Sequence, residues 1–249
     1  MLLVVDIGNT HTVLGIYDQD RLIHMWRLAT NVEYTSDELR IKLRALLIDA
    51  GVIKGAILCS VVPALTHNWE KACERSFGVA PQVVSARSCA HLLNIDKTSF
   101  VELGADRVAD AVAAKAIFGA PVVVVDFGTA TNMEVIDKDG VFVESSMRSL
   151  MSRAALLRAV ELEDPGVAIG RDSSEAIQIG VVSGEAARVD GLVERIQAEL
   201  GYKTKVVATG GLAHRIAPLS HTITEVDVEL TLQGLRLIYN ELKKCDNQR

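Results

Sequence analysis

Val5-Asp6-Ile7-Gly8-Asn9-Thr10 and Val125-Asp126-Phe127-Gly128-Thr129-Ala130 are two versions of one pattern, each at the end of an apolar run. The runs, Met1-Leu2-Leu3-Val4-Val5 and Pro121-Val122-Val123-Val124-Val125, are short, continuous and rich in β-branched residues, as buried strands are. Each aspartate therefore stands where a strand meets a turn. The glycine two positions on lets the backbone bend sharply and approach a ligand, and the polar residues after it can donate to phosphate oxygens. A carboxylate beside a polyphosphate would repel it, so these aspartates are expected to act through a cation that bridges the phosphates.

One Asp-x-Gly would carry little weight, because hairpin turns often read this way. Here the sequence that follows is repeated as well. After the first copy come Thr12-Val13-Leu14-Gly15-Ile16-Tyr17, a turn at Asp18-Gln19-Asp20, and Leu22-Ile23-His24-Met25-Trp26. After the second come Asn132-Met133-Glu134-Val135-Ile136-Asp137, a turn at Lys138-Asp139-Gly140, and Val141-Phe142-Val143. Two lobes that open on the same antiparallel meander predict an α/β fold of duplicated halves, 1–115 and 116–249, with an ATP cleft between them.

The rest of the chain alternates helices and strands. Thr35-Ser36-Asp37-Glu38 has the Thr-x-x-Glu form of a capping box and opens a helix to about Ala50. Lys54 to Pro63 reads as a buried strand, Leu65 to Phe77 as a helix, and Pro81-Gln82-Val83-Val84 as a short strand. Small residues from Ala105 to Ile117 make a helix suited to close packing. Helical patterns also cover Leu150 to Val160, Ser174 to Leu200 and Leu230 to Leu242, and Val206-Val207-Ala208-Thr209 is a strand stopping at Gly210-Gly211.

Composition narrows the function. A chain of 249 residues, 49% hydrophobic and 23% charged, can build a large core. A formal charge of -6 with no polybasic cluster argues against general nucleic-acid binding. The apolar stretches are strand-sized or broken by charge, and no basic lead-in precedes the first strand, so a cytoplasmic protein without membrane contact is expected. Cys59, Cys73, Cys89 and Cys245 form no Cys-x-x-Cys pair, which suggests neither a zinc site nor a disulfide framework. His11 lies inside the first turn, either as a ligand contact or as a spacer.

Three further groups carry chemistry. Gly104-Ala105-Asp106-Arg107 sets an acid and a base at the start of a helix. Asp106 either offsets the helix dipole or accepts a hydroxyl proton, and Arg107 can bind a carboxylate or carbonyl. Thr209-Gly210-Gly211 is either an ordinary strand-to-helix turn or a flat surface for a purine or ribose. In Gly170-Arg171-Asp172-Ser173, Ser173 is expected to cap the next helix, with a hydroxyl able to reach a ligand.

Through these residues the sequence resembles the type III pantothenate kinases, in the superfamily of acetate and sugar kinases, Hsp70 and actin, over nearly its whole length. Asp6 to Thr10 match the family's first phosphate motif, Gly104 to Arg107 its pantothenate motif, Asp126 to Thr131 its second phosphate motif, and Thr209 to Leu212 its adenosine motif. The resemblance implies ribonuclease H-like lobes of an actin-like ATPase fold, and transfer of the ATP γ-phosphoryl group to the terminal hydroxyl of pantothenate by a homodimer, the first step of coenzyme A synthesis. It implies that Asp106 is the base, with Gly104, Ala105, Arg107 and Ser173 around pantothenate. It also places Asp6, Ile7, Gly8, Asn9, Thr10, His11, Thr12 and Val13 around ATP. Asp6 would reach Mg2+ directly or through water, Thr129, Gly210 and Gly211 would touch ATP, and Asp126 would hold a monovalent cation, K+ or NH4+.

The chain departs from the family pattern in three places. Asn132 stands where a second threonine is common, the family's tyrosine ahead of Gly104 has no clear counterpart, and the stretch Gly140 to Leu150 lacks a Gly-Gly-x-Ile-x-Pro-Gly segment. The absent segment and Asn132 motivate an alternative, a nucleotide-binding or regulatory protein on the same fold without transfer.

Overall fold

The computed structural model describes residues 1–48, 50–95, 103–145 and 161–247. The helix expected over 150–160 and the end of the departing 140–150 stretch lie outside the described residues. The chain forms two compact units, Met1–Ala113 with Leu230–Arg249, and Ala114–Glu229. The last helix therefore counts with the first unit, whereas the sequence reading put it in the second.

In the first unit the elements run β1 (Leu2–Ile7), β2 (His11–Asp18), β3 (Arg21–Ala29), α1 (Ser36–Leu46), β4 (Gly55–Ser60), α2 (Pro63–Phe77), β5 (Gln82–Val83) and α3 (Ala86–Leu93). Helix α4 (Ala105–Phe118) then leads into the second unit. There follow β6 (Val122–Phe127), β7 (Thr131–Ile136), β8 (Phe142–Ser145), α5 (Ser173–Gln178), α6 (Gly184–Leu200), β9 (Lys205–Thr209), α7 (Ala213–Ile216) and β10 (Glu225–Val226), before α8 (Leu230–Asn247). The sheets have the orders β3-β2-β1-β4-β5 and β8-β7-β6-β9-β10. In both, an antiparallel meander joins two parallel strands through its first member, so the duplication read from the two aspartate turns holds strand for strand.

Side-chain alternation sets which way each aspartate faces. Leu3, Val5 and Ile7 point into a core with Leu39 and Leu43 of α1 and Leu65 and Trp69 of α2, so Val4 and Asp6 take the opposite face of β1. Val123, Val125 and Phe127 likewise pack on Ala186, Val189 and Val193 of α6, leaving Asp126 on the other face of β6.

Local signals explain most boundaries. Thr35 and Glu38 form the expected capping box of α1. Strand β4 stops at Ser60, and Pro63 starts α2, because proline fits the first turn of a helix, where its missing N–H costs nothing. Helix α3, which the sequence reading passed over, opens on a capping box made by Ser85 and Ser88. The helix expected over 174–200 is two helices joined by a π-helical turn at Ile179–Ser183. Its N-cap is Asp172, whose Oδ1 accepts from the Glu175 N–H at 2.9 Å; Ser173, expected in that role, is the first helical residue. Among the described residues no helix is long and apolar enough to cross a membrane.

Candidate functional site

The first turn divides its residues between support and exposure. Gly8 N–H donates to His11 O at 3.0 Å and closes the bend, and Ile7 pairs with Thr12 across it. Ile7 is buried in the core. The Thr30 hydroxyl donates to Gly8 O at 2.7 Å; its single proton is then used, so the 2.9 Å contact to Thr12 has Thr12 as donor. Buried Thr12 thus braces the turn from behind, while Asn9, Thr10 and His11 are exposed at its tip.

Asp6 ends a row of residues that share one face of the sheet. Strand register sets it between Val13 of β2 and Cys59 of β4, with Arg27 of β3 beyond Val13. The Cys59 thiol donates to Asp6 Oδ1 at 3.2 Å. Burial, and then the charge of Asp106, push the Asp6 carboxyl up to about 7, and Cys59 and Arg27 offset this only in part. Burial and the same carboxylates push the Cys59 thiol well above its ordinary value.

Asp106 is the second residue of α4. Burial raises its carboxyl too, although Oδ1 accepts the Arg107 amide N–H at 2.8 Å, as an acid in the first turn of a helix can. A Cβ on Gly104 would lie 2.4 Å from that Oδ1, so a side chain there would displace the carboxylate. The first unit therefore brings Asp6, Gly104, Asp106 and Arg107 together. Two recessed acids, of which Asp106 raises the affinity of Asp6 for a proton, offer hard oxygen atoms of the kind a small divalent cation takes.

The second unit repeats the arrangement with other neighbours. Asp126 lies between Asn132 of β7 and Thr209 of β9. The turn is one residue shorter than in the first unit, since Phe127 pairs with Thr131, and Gly128 N–H donates to Ala130 O at 3.2 Å. Gly128 and Thr129 are exposed. Gly210 has φ +90°, and a Cβ on it would stand 2.4 Å from Asp126 Oδ1 and 2.6 Å from the Phe127 carbonyl carbon. Only glycine lets the β9 turn lie against the aspartate, and Leu212 N–H then donates to Phe127 O at 3.3 Å. Asp126, Thr129, Gly210 and Gly211 thus belong to adjoining turns, whereas Ser173 is at the exposed start of α5.

Cys59 is the residue of this site to which the sequence reading assigned no role. It holds beside Asp6 the place that Thr209 holds beside Asp126, and the repeated strand order was the signal that could have found it.

Known proteins resemble the chain over nearly its whole length. The profile of the type III pantothenate kinase family matches residues 2–195. The chain is 40% identical to the type III pantothenate kinase of Halalkalibacterium halodurans, over 97% of this chain and 99% of that one. It is 42% identical to the type III pantothenate kinase of a Parafrankia species, over 97% and 98%. Among solved structures, the activator of 2-hydroxyisocaproyl-CoA dehydratase from Clostridium difficile, with bound ADPNP, superposes with a TM-score of 0.62 at 17% identity, covering 100% of this chain and 97% of that one. That likeness and the two duplicated mixed sheets place the fold with the actin-like ATPases and sugar kinases. By its profile match and its relatives along nearly the full length, the chain belongs to the type III pantothenate kinase family.

Proposed function

We propose that this protein transfers the γ-phosphoryl group of ATP to the terminal hydroxyl of pantothenate, giving 4'-phosphopantothenate at the start of coenzyme A synthesis. The observation that carries the reading is the Asp6 and Asp106 pair beside an exposed phosphate-type turn, in a chain of this family. Asp106 accepts the hydroxyl proton, and its raised carboxyl makes it a better base than an ordinary aspartate. Gly104 keeps that carboxylate in place, and Arg107, Ala105 and Ser173 contact pantothenate. Asn9, Thr10 and His11, held by the bonds within the turn, face the ATP phosphates, with Thr129, Gly210 and Gly211 on the nucleotide as well.

Asp6 is the residue that would hold Mg2+, directly or through water, and Asp126 the one that would hold K+ or NH4+; bound there, the cations would neutralise phosphate charge. The chain's own contribution is then alignment of the hydroxyl with the γ-phosphorus, which is most of what in-line transfer requires. The enzyme works as a cytoplasmic homodimer.

The test is ADP formation with Mg2+ and K+, with and without pantothenate. Pantothenate-dependent ADP release is expected, and Asp106→Asn is expected to lower turnover by about 10²-fold or more while nucleotide affinity is kept, because an amide cannot take the proton. ADP release indifferent to pantothenate, or ATP binding with no product, would overturn the reading.

A further inference from the structure

The turn at 128–130 is anchored from behind by a buried carboxylate, paired with a half-buried arginine, that the mechanism above does not use. Thr131 closes this turn opposite Phe127, and alternation along β7 sends its side chain, like Met133 and Val135, to the face packed by α6. It is 4% exposed. Its hydroxyl donates to Glu185 Oε1 at 2.5 Å. Glu185, near the start of α6 and 5% exposed, also receives the Arg188 Nε–H on Oε2 at 2.8 Å and a second guanidinium N–H on Oε1.

A carboxylate withdrawn from water is destabilising unless its lone pairs are filled, so Glu185 needs all three donors. Thr131 in turn cannot rotate its hydroxyl away without leaving that charge short of a partner. A π-helical turn at Ile179–Ser183 stands just before Glu185. Such a turn carries one residue more than an α turn and so shifts the register of the residues after it by about 100°.

We infer that Glu185 is a positioning residue for nucleotide binding: through Thr131 it fixes the end of the Gly128–Ala130 turn, and so the hydroxyl and amide of Thr129, while Arg188 supplies the counter-charge. The inference rests on the reading that Thr129 contacts ATP. Without the anchor the end of the turn loses its side-chain link to α6, and its ligand-facing groups lose their fixed direction.

Calorimetric titration with Mg2+-ADP, together with initial rates in ATP and in pantothenate, tests this on the full-length protein. Thr131→Val keeps the side-chain shape and removes the hydroxyl; Glu185→Gln keeps the shape and removes the charge. Each is expected to weaken ADP binding and raise KM for ATP by about tenfold, the scale of one lost charge-assisted hydrogen bond, with KM for pantothenate within about twofold. Thr131→Ser, which retains the hydroxyl, is expected to restore ADP binding to within about twofold of wild type. The double variant should lose little more than either single one, since both break the same link.

If Thr131→Val binds ADP as wild type does and only melts lower, the anchor is structural and the inference is overturned; this variant decides the matter even where Glu185→Gln does not fold. Wild-type protein that binds no nucleotide would instead remove the reading about Thr129, and the inference with it.

Discussion

Asp6 sits at the balance point between proton and cation. Its folded value of about 7 lies above the ordinary 3.8, so between these values the folded protein keeps a proton that the unfolded chain has released. Stability from this group is therefore present at low pH, declines as pH rises through that window, and is fully lost above about 7. A cation reverses the preference by expelling the proton. Melting of the nucleotide-free protein is expected to fall from about pH 5 to about pH 8, and Asp6→Asn to flatten that slope and stabilise the empty protein at the upper end by roughly a few kcal/mol, while Mg2+-nucleotide affinity drops. Thermal melts with and without Mg2+-ADP check both arms, and parallel pH profiles for variant and wild type would clear Asp6 of the effect. Asp6 and Asp126 were legible in the sequence because strand, acid and glycine turn are contiguous. Cys59 was not, because it meets Asp6 across a separation of 53 residues and only strand register reveals the contact. Glu185 was hidden in the same way, 54 residues from Thr131.

At the scale of elements, the turn after β9 shows how closely two backbone segments must approach to build the aspartate turn of the second unit. Gly210 combines φ +90° with a Cβ position 2.7 Å from Phe127 O, so Gly210→Ala strains the backbone and pushes on both the aspartate and the strand end. Destabilisation of about 1–3 kcal/mol or more is expected, with loss of nucleotide binding beyond what the lower stability explains. Gly191→Ala, where an added Cβ meets nothing within 4 Å, serves as the control and should leave binding intact. Denaturant titration beside calorimetry separates the two effects, and a Gly210→Ala protein as stable as the control would show that the turn can retreat. Strands with continuous β-branched runs, and α1 with its capping box, could be read directly because their signals are local. Helix α3 was missed because a Ser85 and Ser88 pair lacks the usual acidic member. The cap of α5 was misassigned because Asp172 and Ser173 are both good caps and adjacent, and tertiary placement chose between them. The π-helical turn has no propensity signature, so Ser174 to Leu200 reads in the sequence as one helical pattern.

For the whole molecule, the second unit is an insertion: the chain leaves the first unit after Ala113 and returns to it at Leu230. The duplicated strand order was legible because the motif recurs, but the home of α8 was not, since a helix that follows β10 in sequence looks like part of the second half. Its packing decides otherwise. Leu230, Leu232, Leu235, Ile238 and Tyr239 are buried, and Leu232 reaches the position a Cβ on Gly15 would take. Gly234 lies so near α4 that a Cβ would stand 2.0 Å from Ala109 O, and Thr231 Oγ1 donates to Asp110 Oδ1 at 2.7 Å. Five large side chains at roughly 1.5–3 kcal/mol each rival the whole stability of an ordinary domain, about 5–15 kcal/mol. Truncation before Leu230 is therefore expected to unfold the first unit. Hydrogen exchange should then show β1, β2 and β4 unprotected, with β6, β7 and β9 losing less, because α6 and not α8 covers their core. If strands β1 and β2 stay protected in the truncated chain, α8 is dispensable to the first unit, and the boundary at the end of α4 would be the true division of the molecule.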